Sequence, residues 1–304
     1  MSKKLCVAIF CLFVWGVMPC FCYGNGAVVV IKNREIPLYD KVVRSFRARL
    51  ERNGVSAAFE EYNLEEKGES ILREIRAKTP VLILNLGTSS AKSAQTALKG
   101  FPMVFTMILN PWQNNIFPPG VCMDISFETK LEDVKKIITG METVGTIYSQ
   151  DSLSKYEELA QACNKFGLRL AAKRINDQKD FPQALEDISS QVDLFIMLAD
   201  PGIYHPKTVE YLLNFSLQKG FSVMGLSSGY TKAGALISYD CDYEDLGVQA
   251  AELVLKVLAK DPLAAGEIVR PRKVKTTLNL KVAQRLGLKI PQNILNEAEE
   301  VFGR

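Results

Sequence analysis

Hydrophobic and polar residues follow two periods along the chain, one typical of buried strands and one typical of amphipathic helices. The run Ala27–Ile31 is continuously apolar and β-branched, which predicts a strand buried on both faces. Apolar residues then recur at helical spacing from Tyr39 to Leu50 and stop before Asn53-Gly54, a C-cap signal. The same alternation predicts strands at 57–62, 81–84, 103–109 and 121–125, and helices at 69–78, 90–98 and 131–141.

The alternation then starts again, with strands predicted at 144–148, 168–175, 194–198 and 221–226 and helices at 153–166, 181–188 and 208–219. Two successive sets of this kind predict an α/β protein with two parallel sheets, each covered by helices on both faces. Ligands of open parallel sheets bind outside the carboxyl ends of the strands. We therefore expect one cleft between two lobes, lined by the loops at 32–38, 87–90, 110–112, 149–153, 200–205 and 227–232.

The first 25 residues have a different pattern. Lys3 and Lys4 precede an apolar run, Leu5–Met18, that is too short to span a bilayer and is followed by small residues. These features predict a cleaved signal peptide over residues 1–25 and an exported mature protein, with an uncleaved anchor as the alternative. The residues before Cys20 and Cys22 lack the Leu-small-small pattern of a lipoprotein, so no lipid anchor is expected.

Composition and charge narrow the classes of function. The 304 residues are 47% hydrophobic, which is ordinary for a globular protein. Of the 37 basic residues, two lie in the leader, so 35 remain against 34 acidic residues and the net charge falls to +1. Such a balance provides no field for nucleic-acid phosphates, and no nucleic-acid partner is expected.

The cysteines exclude a fold held together by disulfides. Four of the seven cysteines lie in the leader, and the others are Cys122, Cys163 and Cys241. Three cysteines form at most one disulfide and leave one free thiol, so packing in the core is the expected role of all three. Whether two of them pair stays open at this point.

The segment Gly87-Thr88-Ser89-Ser90 joins a predicted buried strand to a predicted helix. The first N–H groups of a helix have no intrahelical partner, and the helix dipole is positive there, so a carboxylate or phosphate binds well. The hydroxyl groups add donors, and Gly87 permits close approach to the backbone. The alternative is that one of these residues only caps the helix.

Three further residues stand at predicted strand ends or near them. Asp200 follows the apolar run Leu194–Leu198 and is a candidate partner for a ligand ammonium group, with turn formation by Asp-Pro-Gly as the alternative. Tyr39 and Trp112 are aromatic candidates for packing on the apolar part of a ligand. Packing on the lobe surface is the alternative for both aromatic residues.

Metal binding and catalysis find no support in the sequence. His205 is the only histidine and has no nearby cysteine, which makes it a weak metal candidate. The acidic segment 240–245 lacks the spacing of a calcium loop and is expected to make capping and hinge contacts. The chain has no P-loop and no G-x-G-x-x-G after the first strand, so neither an enzyme nor a cofactor is expected.

Four stretches together resemble the ABC-transporter substrate-binding proteins of the family that includes tryptophan- and tyrosine-binding members. They are PLYDKVVRSFRARLERNG (37–54), GTSSAKSAQTALKGFPMVFTMILNP (87–111), GALISYDCDYEDLGVQAAELVLKVL (234–258) and KTTLNLKVAQRLGLKIP (275–291). The resemblance implies the type I periplasmic-binding-protein fold, with two Rossmann-like lobes joined by three crossovers. It implies that lobe 1 holds 26–141 and 242–264, and that lobe 2 holds 142–241 and 265–304.

The resemblance also implies a ligand site. The loop Gly87-Thr88-Ser89 is expected to meet the ligand carboxylate and Asp200 the ligand amino group. The other candidate ligand-binding residues are Tyr39, Asn110, Ser228, Tyr239 and Asp242.

The sequence departs from the family pattern at three places that bear on specificity. Asn110-Pro111 stands where the family usually has Asp-Pro, which removes one negative charge from the cleft. The turn Ser227–Tyr230 replaces a turn that is often rich in Asp, and Asp240 replaces a common glycine. Specificity for a particular amino acid is therefore left open.

These features predict a monomeric periplasmic solute-binding component of an ABC importer. It would close two hinged lobes on an amino acid or another small carboxylate and present the closed form to a membrane permease. A ligand sensor for a membrane receptor is the alternative with the same fold. A LacI-type repressor core would have an N-terminal DNA-binding segment where this chain has the predicted leader. An exported enzyme is the least favoured alternative, because the sequence offers no supporting set of catalytic residues.

Overall fold

Two sheets organise the chain in the computed structural model, which describes residues 26–303. The predicted signal peptide lies outside the described residues. Over the range 26–303, no helix combines the length and the hydrophobicity needed to cross a membrane.

The first sheet, within these residues, has six strands and is parallel throughout. Its strands are β1 (Val28–Lys32), β2 (Phe59–Asn63), β3 (Leu82–Leu86), β4 (Met103–Ile108), β5 (Gly120–Cys122) and β11 (Ile268–Val269), in the spatial order β11-β5-β4-β3-β1-β2. Every residue of β1, β3 and β4 is buried, as expected for a parallel sheet that helices cover on both faces.

The second sheet has seven strands within the described part of the chain. They are β6 (Thr143–Tyr148), β7 (Arg169–Arg174), β8 (Leu194–Ile196), β9 (Ser222–Gly225), β10 (Ile237–Cys241), β12 (Val274–Asn279) and β13 (Glu300–Phe302), in the order β13-β12-β10-β9-β8-β6-β7. Strand β12 is antiparallel to β10, with Cys241 opposite Val274. The chain leaves the sheet at the end of β10 and returns to it at the same edge with the first residue of β12, so β12 runs in the opposite direction.

Helices cover both sheets. They are α1 (Pro37–Arg52), α2 (Leu64–Lys67), α3 (Ile71–Ala77), α4 (Thr88–Ala97), α5 (Phe127–Ile137), α6 (Leu153–Lys165), α7 (Phe181–Ser189), α8 (Pro206–Lys219), α9 (Ser228–Ala233), α10 (Tyr243–Leu258), α11 (Leu280–Arg285) and α12 (Gln292–Glu297). Helix α5 begins four residues before the predicted start at Leu131. Ser126 sets this start, because its hydroxyl accepts a hydrogen bond from the Thr129 N–H at 3.2 Å.

The chain passes between the sheets three times. Helix α10 follows β10 of the second sheet but packs on α1 of the first lobe, while α5 packs on α6 of the second. Strand β11 pairs with β5 in the first sheet, four residues beyond the boundary predicted at 264. We therefore propose that the crossovers lie at 123–126, at Asp242 and at 270–273. The second agrees with the expected boundary at 242, whereas the first lies at least 15 residues before the expected boundary at 141 and the third lies after the one expected at 264.

The three cysteines that the structure describes are buried and unpaired. Burial raises the pKa of the Cys122 and Cys163 thiols to about 11 and that of Cys241 to about 12. All three thiols are therefore protonated at neutral pH and contribute to packing as small apolar groups.

Candidate functional site

The loop at Gly87 stands at the carboxyl end of β3 and opens helix α4. Gly87 is the N-cap residue, with φ 93°, and its N–H donates to the Thr106 carbonyl oxygen at 3.1 Å. The Ser90 hydroxyl donates to the Leu86 and Gly87 carbonyl oxygens, both at 2.9 Å, and so fixes the turn. Thr88 is half-buried and Ser89 is exposed. The N–H groups of this first turn have no intrahelical partner.

Tyr39 supports this loop from helix α1. Its side chain is buried, and a Cβ atom added to Gly87 would lie 2.6 Å from Tyr39 Oη and 2.9 Å from Asn33 Cβ. Burial raises the pKa of Tyr39, so its phenol stays protonated at neutral pH. The close approach explains why position 87 has no side chain.

A cavity of about 290 Å³ lies where the two lobes meet the crossovers, and we call it the hinge cavity. Strand ends of both sheets and two crossovers supply its walls. It is lined by Leu109, Met123, Asp124, Ile125, Phe127, Lys130, Lys155, Met197, Leu198, Ala199, Leu226, Ser227, Tyr239, Asp240, Cys241 and Tyr243. Its mainly apolar lining with a few charged groups is typical of small-molecule sites, and its volume is at the low end of their range.

Another groove, of about 860 Å³, lies on the first lobe. It contains Met103, Pro119 and Gly266, which begin or precede strands β4, β5 and β11. These positions mark the amino edge of the first sheet, opposite to the strand-end loops. Since ligands of open parallel sheets bind at the carboxyl edge, the hinge cavity is the candidate site.

A network of charged groups joins the lobes beside the hinge cavity. Asp124 is 4% exposed and accepts from the Asn110 N–H at 2.9 Å, while its other oxygen pairs with Lys155 Nζ at 3.0 Å. Lys155 also pairs with Glu158 at 2.9 Å, and Glu158 accepts from Arg270 at 2.7 Å. The loop after β4, the first crossover, helix α6 and the third crossover are thereby connected.

The Asp200 carboxylate is turned into the second lobe, and the residue is 2% exposed. It accepts hydrogen bonds from the Ser149 hydroxyl at 2.7 Å and the Ser152 hydroxyl at 2.6 Å. It also accepts from the backbone N–H groups of Ser149 at 3.3 Å and Gly202 at 3.0 Å. These bonds tie the loop after β6 to the loop after β8, and contact with a ligand ammonium stays a prediction.

The remaining predicted residues lie on the second lobe or at its crossover. Ser228 is the half-buried first residue of α9, and its neighbour Ser227 lines the hinge cavity. Tyr239 is buried in the cavity wall, where its hydroxyl donates to the Lys130 carbonyl oxygen at 3.3 Å. Asp242 caps α10 by accepting from two backbone N–H groups at 3.1 Å.

Among the predicted ligand-binding residues only Tyr239 lines the hinge cavity, and Lys130 is one of the lining residues that were not predicted. It lies on α5 and lines the hinge cavity, with Nζ 4.9 Å from the centroid of the Phe127 ring. Burial lowers the pKa of its ammonium to about 8. The signal in the sequence was a lysine on the apolar helix face formed by Phe127, Leu131 and Val134, but the predicted helix start excluded it.

The fold places this protein in the class of α/β proteins built from two mainly parallel sheets. Residues 40–302 match the family model described as ABC transporter substrate binding protein, and the chain belongs to that family. The predicted family is thereby confirmed. It is a family of substrate-binding proteins, not of enzymes.

Relatives with known function or structure agree with this assignment. The chain is 23% identical over 243 residues to a tyrosine-binding protein of Clostridioides difficile (strain R20291), covering 74% of this chain and 70% of the relative. A ligand-free, open structure of a substrate-binding protein with adhesive properties from Clostridium difficile has a TM-score of 0.77 at 19% identity, covering 92% and 100% of the two chains.

A second solved structure supports the same fold. The ABC domain from Streptococcus pneumonia in complex with L-Trp has a TM-score of 0.62 at 21% identity, covering 91% of this chain and 100% of its own. These likenesses confirm the predicted α/β architecture of type I periplasmic binding proteins.

Proposed function

We propose that this protein is the periplasmic solute-binding component of an ABC importer and binds an amino acid or another small carboxylate between its lobes. The observation that carries the proposal is the hinge cavity, to which both sheets contribute strand-end residues. A ligand in that position contacts both lobes, so its binding energy favours the arrangement in which the lobes close on it.

The predicted site residues take distinct roles in this proposal. The tip of α4 at Thr88 and Ser89 does not line the hinge cavity and is one candidate for the anionic side of the ligand, and Tyr39 and Gly87 shape that tip. Asn110, Ser228 and Tyr239 stand along the cleft walls. Asp200 and Asp242 hold their loops in place, because their carboxylates already accept hydrogen bonds from this chain.

The partner in this proposal is a membrane permease that distinguishes the closed form from the open form. The surface that the permease contacts includes both lobes, because only such a surface changes when the lobes move relative to each other. Family membership supports a role with such a transporter. A predicted leader over residues 1–25 supports delivery to the periplasm.

Thermal unfolding of ligand-stripped, refolded protein tests the proposal. The panel contains amino acids, small carboxylates and purines, and includes L-tyrosine and L-tryptophan because the relatives are described with these ligands. A ligand at 100 times its Kd stabilises the native state by about 2.7 kcal/mol, which raises Tm by several degrees. Unchanged Tm across the whole panel would contradict a solute-binding role.

A further inference from the structure

We propose that the Lys130 ammonium binds the negatively charged group of the ligand in the hinge cavity, so that the ligand is a small carboxylate with an apolar body. This inference rests on the proposed function, because it assigns the anion-binding residue and the ligand class of the same site.

Lys130 differs from the paired lysines Lys155 and Lys32 by having no carboxylate partner among the described residues. Lys155, in the same cavity, pairs with Asp124 and Glu158 at 3.0 and 2.9 Å. Lys32, buried at the end of β1, contacts three carboxylates within 3.1 Å. Across residues 26–303, Lys130 Nζ makes neither an ion pair nor a side-chain hydrogen bond, although it lines a cavity.

The surroundings of Lys130 disfavour its positive charge. The face of the Phe127 ring provides a weak cation–π contact at 4.9 Å. Loss of water on burial, together with repulsion by Lys155, outweighs the attraction of Asp124 and Glu158 and lowers the pKa of the ammonium to about 8. A desolvated charge of this kind gains strongly from an anion that hydrogen-bonds to it.

The acidic groups of the cavity are already engaged. Asp124 is held by Lys155 and the Asn110 N–H, and Asp240 accepts from the Cys241 N–H and the Tyr243 hydroxyl, both at 2.8 Å. Of the four charged side chains that line the cavity, Lys130 is therefore the one with neither an ion pair nor a hydrogen bond from its charged group within residues 26–303, which favours an anionic ligand group. The apolar walls, which include Met123 and Met197, accommodate an apolar ligand body beside it.

Calorimetric titration with three compounds of one scaffold tests the assignment. The probes are L-tyrosine, 3-(4-hydroxyphenyl)propionate, which lacks the amine, and tyramine, which lacks the carboxylate. Wild-type protein is expected to bind the two carboxylates at least about tenfold more tightly than tyramine. Lys130→Met should weaken both carboxylates by about 10- to 100-fold and abolish the preference over tyramine, and Lys130→Arg should retain it.

Two comparisons exclude a merely structural role for Lys130. Lys136→Met removes a surface lysine of the same helix that pairs with Asp133, and it should leave all three affinities unchanged. Between pH 7 and 9.5, wild-type affinity for 3-(4-hydroxyphenyl)propionate should fall as pH rises above 8, by up to about tenfold per pH unit. Lys130 loses its charge in that range while the probe carboxylate stays ionised, and Lys130→Arg should show no such fall.

The outcomes separate this inference from the proposed function. If Lys130→Met binds the carboxylates as tightly as wild type, the inference is wrong and the solute-binding role stands. If another compound of the thermal-unfolding panel binds instead of L-tyrosine, the same comparison with that compound and its analogue without carboxylate decides the inference. If wild type binds no compound of the panel, the proposed function and the inference both fail.

Discussion

Gly87 combines two requirements at a single residue, a positive φ and the absence of a side chain. Its φ is 93°, and the position that a Cβ would take lies 2.6 Å from Tyr39 Oη. The loop and Tyr39 therefore depend on each other for their positions, and a substitution at this residue tests how the helix tip is built.

We expect Gly87→Ala to lower the free energy of unfolding by about 2–4 kcal/mol, because a left-handed backbone and overpacking both contribute. Gly54→Ala is the matched control, since its φ is 79° with no atom within 4 Å of the added Cβ. The control should cost about 1 kcal/mol. Equal losses for both variants in urea unfolding would contradict close packing of Tyr39 on the loop.

The Asp200 carboxylate, at the end of a strand, stabilises the fold through hydrogen bonds with two loops. Because four donors from this chain surround it, Asp200→Asn should lower the free energy of unfolding by about 1.5–3 kcal/mol. The exposed Asp151→Asn should change it by less than about 0.5 kcal/mol. Urea unfolding measures both. Wild-type stability combined with a loss of ligand affinity would instead assign Asp200 to the ligand.

Individual side chains were predictable from the sequence only where their role is local. The turn at Gly87 and the cap at Asp242 follow from residue type and position in the chain. Lys130 was not predictable, because its importance comes from the absence of a partner. That absence depends on α5, α6 and two crossovers meeting in space.

At the scale of elements, the contact between α1 and α10 holds the returning chain on the first lobe. Gly247 lies at this contact, where an added Cβ would overlap the Val42 carbonyl oxygen and the Ser45 hydroxyl and would lie 3.0 Å from the Phe46 nitrogen. The two helix backbones approach each other closely because this position has no side chain.

We expect Gly247→Ala to lower the free energy of unfolding by about 1–3 kcal/mol through overpacking, although alanine is the better helix former. Gly229 in α9 is the matched control, because the nearest atom to its added Cβ is Ser227 Oγ at 3.7 Å. Gly229→Ala should be neutral or stabilising by up to about 1 kcal/mol. Thermal or urea unfolding with the same change for both variants would contradict the close helix contact.

Most strands and helices up to β9 were predictable, because the spacing of hydrophobic residues indicates which face of each element is buried. Where the pattern gave bounds, they agree with the structure to within three residues except for α5, which starts and ends four residues earlier than predicted because the polar cap Ser126 sets its start. The pattern gave no bounds for α9 or for the strands and helices after α10. The direction of β12 was not predictable from its own residues. It follows from the position of the third crossover, which is a property of the whole chain path.

At the scale of the molecule, the crossovers and the ion pairs beside them create the hinge cavity. A chain of three ion pairs connects both lobes: Asp124 with Lys155 at 3.0 Å, Lys155 with Glu158 at 2.9 Å, and Glu158 with Arg270 at 2.7 Å. The sequence predicted two lobes and a cleft, because alternating elements and the carboxyl-edge rule are general. The depth and charge of the cavity required the three-dimensional arrangement.

The central claim is that the two lobes hold one small carboxylate between them. Native mass spectrometry tests it most directly, with ligand-stripped protein incubated in the small-molecule fraction of the host cell. The account predicts a 1:1 complex whose added mass is that of a small carboxylate, released on denaturation and strongly reduced for Lys130→Met. A spectrum that shows only the bare polypeptide under these conditions would contradict the account.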